Sequence, residues 1–130
     1  MKRSLQLNPD NRPATWGQIR DWREAHKRAP VDTAFGTFDA DEHADLNFQG
    51  MLSEFDNLTT LDAQGKLAWK RADNSFIPLS KPDLEQVYAE VKTGRAVRGA
   101  LLHVQAEMFY QMSPSPTPAQ LSSLDFWLNP

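Results

Sequence analysis

The chain has 130 residues, 40% of them apolar and 24% charged, with a formal charge of -3, which is enough to bury a core in a soluble globular protein. The acidic balance argues against general nucleic-acid binding, which needs a basic face to displace phosphate counterions, and the lack of cysteine excludes disulfides and thiolate chemistry. No run approaches a membrane span, and the opening MKRSLQLNPDNRP lacks the apolar segment of a signal peptide, so the expected setting is a cytoplasm, with neither nucleic acid nor membrane as partner.

Residues 1–13 end in Asn8-Pro9-Asp10-Asn11-Arg12-Pro13 and read as a turn-rich arm. Thr15 is placed to cap a short amphipathic helix through Trp16, Ile19, Trp22 and His26, stopping before Pro30. Its aromatic face, Trp16 and Trp22, suits either the core or a partner, since tryptophan is enriched at interface hot spots. Arg20, Arg23, Lys27 and Arg28 read as its solvated side. Val31 to Asp39 fits one strand bulged at Gly36, or two short strands meeting there.

Asp39, Asp41 and Asp45 have the offsets of a calcium loop, but the positions that need glycine and glutamate hold Ala44 and Gly50. The acidic run instead suits a helix start, where carboxylates meet unpaired amides, with the helix continuing through Leu46 to Phe55. After a polar connection, Asn57 to Lys66, the stretch LAWKRADNSFIPL (Leu67 to Leu79) places β-prone residues on both sides of Asp73-Asn74-Ser75, the pattern of a hairpin.

Ser80-Lys81-Pro82-Asp83 carries cap, first-turn proline and acidic signals for a long helix. Leu84, Val87, Tyr88, Val91, Leu101, Leu102, Met108, Phe109 and Met112 are expected to form one apolar stripe along it. Gly94 and Gly99, each costing about 1 kcal/mol against alanine, weaken its middle. Ser113-Pro114-Ser115-Pro116-Thr117-Pro118 ends the helix in a stiff connector. Beyond it Leu121, Leu124, Phe126, Trp127 and Leu128 form a dense apolar segment. Each such side chain gains roughly 1.5–3 kcal/mol on burial, so the segment must dock. The stiff tether favours docking in trans. With Trp16 and Trp22, these five residues are the candidate partner-binding set.

His26, His43 and His103 lie in separate elements without metal-ligand spacing, and no phosphate loop or nucleophile motif is present. Asp39 with Glu42, or Asp73 with a basic neighbour, could move protons, but capping and turns already account for carboxylates there. No catalytic residue, metal or cofactor is expected.

The runs FDADEHADLNFQGML and LAWKRADNSFIPLSKPDLEQVYAEV resemble the DUF4376 family of bacteriophage and prophage proteins. The resemblance rests on Phe38-Asp39-Ala40-Asp41 before a helix, Trp69 followed by Ala72-Asp73-Asn74, Leu79 before a long helix, and His103 with a basic residue late in it. It covers about Val31 to Phe109. Members are often described as tail or tail-fibre assembly proteins, which implies a small α+β protein with no catalytic set to carry over.

The expected fold is α+β, with the two β segments pairing into one small sheet packed against two to three helices. A single domain over 14–112 would follow the arm and precede a Pro-tethered apolar segment over 113–130. The expected function is that of an assembly chaperone, binding a phage tail or tail-fibre protein or other copies of itself in the host bacterial cytoplasm. The alternatives are a permanent part of the virion tail, baseplate or fibre attachment and, remotely, an enzyme.

Overall fold

The computed structural model describes residues 11–130, so the Asn8-Pro9-Asp10 part of the expected arm lies outside the described residues. Thr15 opens the first helix, α1 (Trp16–Lys27), by a reciprocal pair of bonds. Its Oγ1 accepts from the Gln18 amide at 3.3 Å, and its own amide donates to Gln18 Oε1 at 2.9 Å. Two short strands follow, β1 (Val31–Thr33) and β2 (Gly36–Phe38), pairing Val31 with Phe38 and Thr33 with Gly36. Gly36 has φ 116°, and a Cβ added there would lie 2.5 Å from Arg71 Nε, so only glycine fits this turn.

Asp41 caps α2 (Glu42–Glu54), its side chain accepting from the Ala44 amide at 2.8 Å. Asp45, in the first turn, pairs with Arg95 at 3.0 Å. The acidic run is a helix start, and α2 runs on into a 3-10 turn at Phe55–Asn57. The second hairpin joins β3 (Leu67–Lys70) to β4 (Phe76–Leu79), with Trp69 opposite Ile77. At its tip Asn74 has φ 72°, and Asp73 Oδ1 accepts from the Ser75 amide at 2.9 Å and the Ser75 hydroxyl at 2.6 Å.

The fold is α+β, but the two hairpins remain separate two-stranded sheets. Outside the ladders, the main-chain bond that links them runs from the Ala72 amide to Thr37 O at 2.9 Å. Arg71 also reaches across, donating through Nε to Phe35 O at 2.9 Å. The tip of the second hairpin, rather than a strand of it, meets the first, so no ladder can propagate between them.

Next comes α3 (Lys81–Gln111), 31 residues without a break. The Ser80 Oγ accepts from the Asp83 amide at 3.3 Å at its start. At Gly94 β1 packs directly on the helix backbone: a Cβ there would fall 2.5 Å from Val31 Cγ1. The expected single apolar stripe is two faces. Leu84, Val87, Val91, Leu102 and Phe109 are buried, whereas Leu101, Met108 and Met112 are exposed. Adjacent residues on a helix stand about 100° apart, so Leu101 and Leu102, or Met108 and Phe109, cannot share one face.

The chain divides into two compact units, which do not coincide with boundaries at residues 13 and 112. Arg28–Val97 holds both hairpins, α2 and the first part of α3 around Phe38, Phe48, Leu79, Leu84 and Val91. Residues 11–27 and Arg98–Pro130 form the other around Ile19, Leu102, Phe109, Leu121 and Trp127.

The C-terminal segment therefore docks in cis, which overturns the expected trans docking. After the prolines, Thr117 and Gln120 form a capping box for α4 (Pro118–Leu121), and Ser123 caps α5 (Leu124–Leu128). Each cap redirects the chain, and the Ala14 amide secures the connector by donating to Pro116 O at 2.8 Å. The caps and this bond, not the stiffness of the connector, set where the segment went.

Candidate functional site

The strongest candidate for a binding surface lies in the Arg28–Val97 unit and follows from the register of β3 and β4. The Arg71 amide donates to Ser75 O at 2.7 Å, and the ladder alternates from that hydrogen-bonded pair. Trp69–Ile77 and Leu67–Leu79 are then bonded pairs, while Ala68–Pro78 and Lys70–Phe76 turn their main-chain groups outward. Pro78, which has no N–H, sits where that donor would face away from β3, so it costs the ladder nothing and blunts the outer edge of β4. On β3, Ala68 and Lys70 turn their amides and carbonyls to the opposite edge. Among the described residues no main-chain bond outside the ladder uses them.

Beside that edge is a groove of about 330 Å³ between β3 and α2. Ala68, Trp69 and Lys70 all line it, and three consecutive residues can do so only where a strand presents its edge. Across from them stand Asn47, Phe48 and Met51 of α2, and Phe76 of β4 closes one side. The Phe48 ring is fixed between Trp69, 5.2 Å away, and Tyr88, stacked at 4.9 Å. Tyr88 in turn accepts from Gln49 Nε2 at 2.9 Å and lies under the Lys92 ammonium at 4.3 Å. Phe76 is 63% exposed, a large aromatic left in water at the rim.

Such an arrangement can bind an extended segment, with main-chain bonds along β3 and an apolar side chain against Phe48 and Trp69. Asp39, one of the carboxylates considered for proton transfer, and Lys70 also line the groove. The carboxylates of this unit held below their ordinary values are Asp73 and Glu90. The Ser75 hydroxyl and amide lower the first; the Ala34 amide and then the Gln86 side chain lower the second. Both carboxylates brace turns. Among the described residues no three His, Asp or Glu side chains gather as a metal site, and no helix is long and apolar enough to cross a membrane.

The seven candidate partner-binding residues all belong to the other unit. Leu121 and Trp127 are fully buried, and the Leu121 carbonyl accepts from Trp127 Nε1 at 2.8 Å and from His26 Nε2 at 2.7 Å. Trp22 stacks on His26 at 5.5 Å, and Phe126 on Phe109 at 5.3 Å. Trp16 packs against Tyr110 at 5.2 Å, and Leu124 is half-buried on the same core. Leu128 alone of the seven is exposed. The sequence offered Trp16 and Trp22 and the C-terminal segment as two separate stretches for a partner, the tryptophans alternatively for the core; the structure packs both stretches into one core of the chain itself. Sequence reasoning passed over the groove, although a signal was present: in a hairpin with Trp69 and Ile77 facing in, Phe76 must face out.

The model of a family described as "Domain of unknown function (DUF4376)" matches residues 10–110. The match takes in α1, ahead of the Val31 to Phe109 stretch that carries the resemblance, and stops before α4 and α5. Neither a curated protein nor a solved structure matches the chain.

Proposed function

The chain belongs to the DUF4376 family, and from that premise we propose that it is a bacteriophage or prophage assembly protein that holds a tail or tail-fibre protein before incorporation. It acts by protein–protein binding in the host cytoplasm, without cofactor or catalysis. The tail setting rests on the sequence resemblance. The mode of action rests on one observation, the groove beside the open edge of β3, where an exposed Phe76 and a row of outward main-chain groups suit an extended client segment.

The test is co-purification from phage-producing cells. The wild-type chain should bring down a tail or tail-fibre protein in stoichiometric amount. Phe76→Glu, a change at an exposed position, should fold normally and lose that protein. Undiminished capture by Phe76→Glu would remove the groove from the reading. Purified particles should lack the chain; abundant copies there would make it a permanent tail component instead.

A further inference from the structure

A second surface, on the unit that holds the C-terminal segment, is independent of the groove. Along the second half of α3, Leu101, Val104 and Met108 recur at intervals of three and four, and Met112 follows directly after the helix end; the four are 39%, 59%, 54% and 49% exposed. At about 100° per residue the three helical positions fall within a sector of roughly 60°. The buried face of the same stretch, Leu102, Ala106 and Phe109, is centred roughly 120° away. Scattered exposed apolar residues are ordinary, but three in register at the spacing of a helix–helix seam, continued by a fourth at the helix end, are not.

We propose that this face pairs with the same face of a second copy of the chain, giving a two-fold dimer through α3. The interval pattern selects a helix as occupant, because knobs three and four apart interdigitate with a like row, whereas an extended segment presents a period of two. The flanks select a copy of the same helix. Beside the stripe stand Ala100, Glu107 and Gln111 on one side and Arg98 and the buried Gln105 on the other, so the flanks carry one charge of each sign and two copies approach without opposing rows of like charge. The same neutrality gives an oppositely charged partner nothing to recognise.

The area is also suited to a dimer of limited strength. The four side chains expose on the order of 400 Å² per copy, and with their flanks a self-paired seam buries roughly 1,000 Å² in total, the lower bound of a specific interface. A symmetric interface meets that bound by using one patch twice. The dimer is therefore expected to be reversible, with a dissociation constant in the micromolar range.

Sedimentation of the full chain from about 1 to about 200 µM tests this, that range bracketing a micromolar equilibrium. The wild-type mass should rise from monomer to dimer. Val104→Glu with Met108→Glu should stay monomeric throughout, with an unchanged near-ultraviolet spectrum and thermal midpoint, since both side chains face water. The milder Val104→Ser should weaken the dimer at least roughly tenfold. Phe76→Glu, on the other unit, should dimerise like the wild type. A wild-type chain still monomeric at the highest concentration overturns the proposal, as does a dimer indifferent to the α3 changes or one abolished by Phe76→Glu.

Discussion

Gly94 and Gly99, five residues apart on one helix, should respond to alanine with opposite signs. At Gly94 the new methyl meets Val31 at 2.5 Å, and overpacking of this kind costs about 1–3 kcal/mol, more than the helix gains from losing a glycine. At Gly99 the nearest atom is the flexible end of Lys27 at 4.0 Å, and at Gly50 nothing lies within 4 Å. Gly99→Ala and Gly50→Ala should therefore each raise stability by about 0.5–1 kcal/mol. Urea midpoints with unchanged slopes check both signs. Loss of stability in Gly99→Ala would show that the backbone there is not an ordinary helix.

His103 is held below its ordinary value of 6.5, first by desolvation and then by the charges of Lys27 and Arg23, with Glu24 opposing. The folded chain thus takes up its proton less readily than the unfolded one. Its contribution is complete above 6.5 and is lost as pH falls through the lower folded value. The depressed carboxylates Glu24, Asp73 and Glu90 lose theirs only further into acid, below ordinary values of 3.8 to 4.5. Between pH 7.5 and 5.5 the urea midpoint of the wild type should fall, and that of His103→Gln should fall less. Because His103 is exposed, the difference will be small, and equal declines would remove its role.

At the scale of the element, α4 and α5 are too short to be helical alone and hold their shape because Leu121 and Trp127 are buried. Truncation after Pro114 should accordingly unfold or aggregate the unit they complete. Trp127→Ala should cost about 3–5 kcal/mol, since it removes a buried indole and its bond to the Leu121 carbonyl. A truncated chain with full near-ultraviolet signal and solubility would contradict the cis docking. The hairpin tip is expected to behave as local structure: Asp73→Ala with Asn74→Ala should lower stability while leaving client capture intact.

At the scale of the whole molecule, α3 contributes to two hydrophobic cores drawn from different parts of the chain. Each core should have its own protection against amide exchange. Trp127→Ala should speed exchange at Leu102 to Phe109 more than at Leu84 to Val91, where the residues pack around Phe48 and Leu79. Equal acceleration of both stretches would mean that the helix opens as one cooperative piece.

Sequence alone determined what depends on neighbours along the chain. Thr15, Asp41 and Ser80 cap helices, Asp73 and Asn74 make a tip, and the prolines after Met112 end α3, because caps, turns and proline sterics act within about four residues. It also determined the α+β class and the family, through the order of such signals. Tertiary structure decided the rest. Leu101 and Leu102 look alike in sequence, yet one is in water and the other buried, because the core occupies a single sector of the helix. Leu121 and Trp127 were legible as residues that must be buried, but not where. A carbonyl nearly a hundred residues from His26 reaches it only after the chain has folded back. The open edge of β3 is equally invisible along the chain, since an edge is defined by the strand that is not beside it.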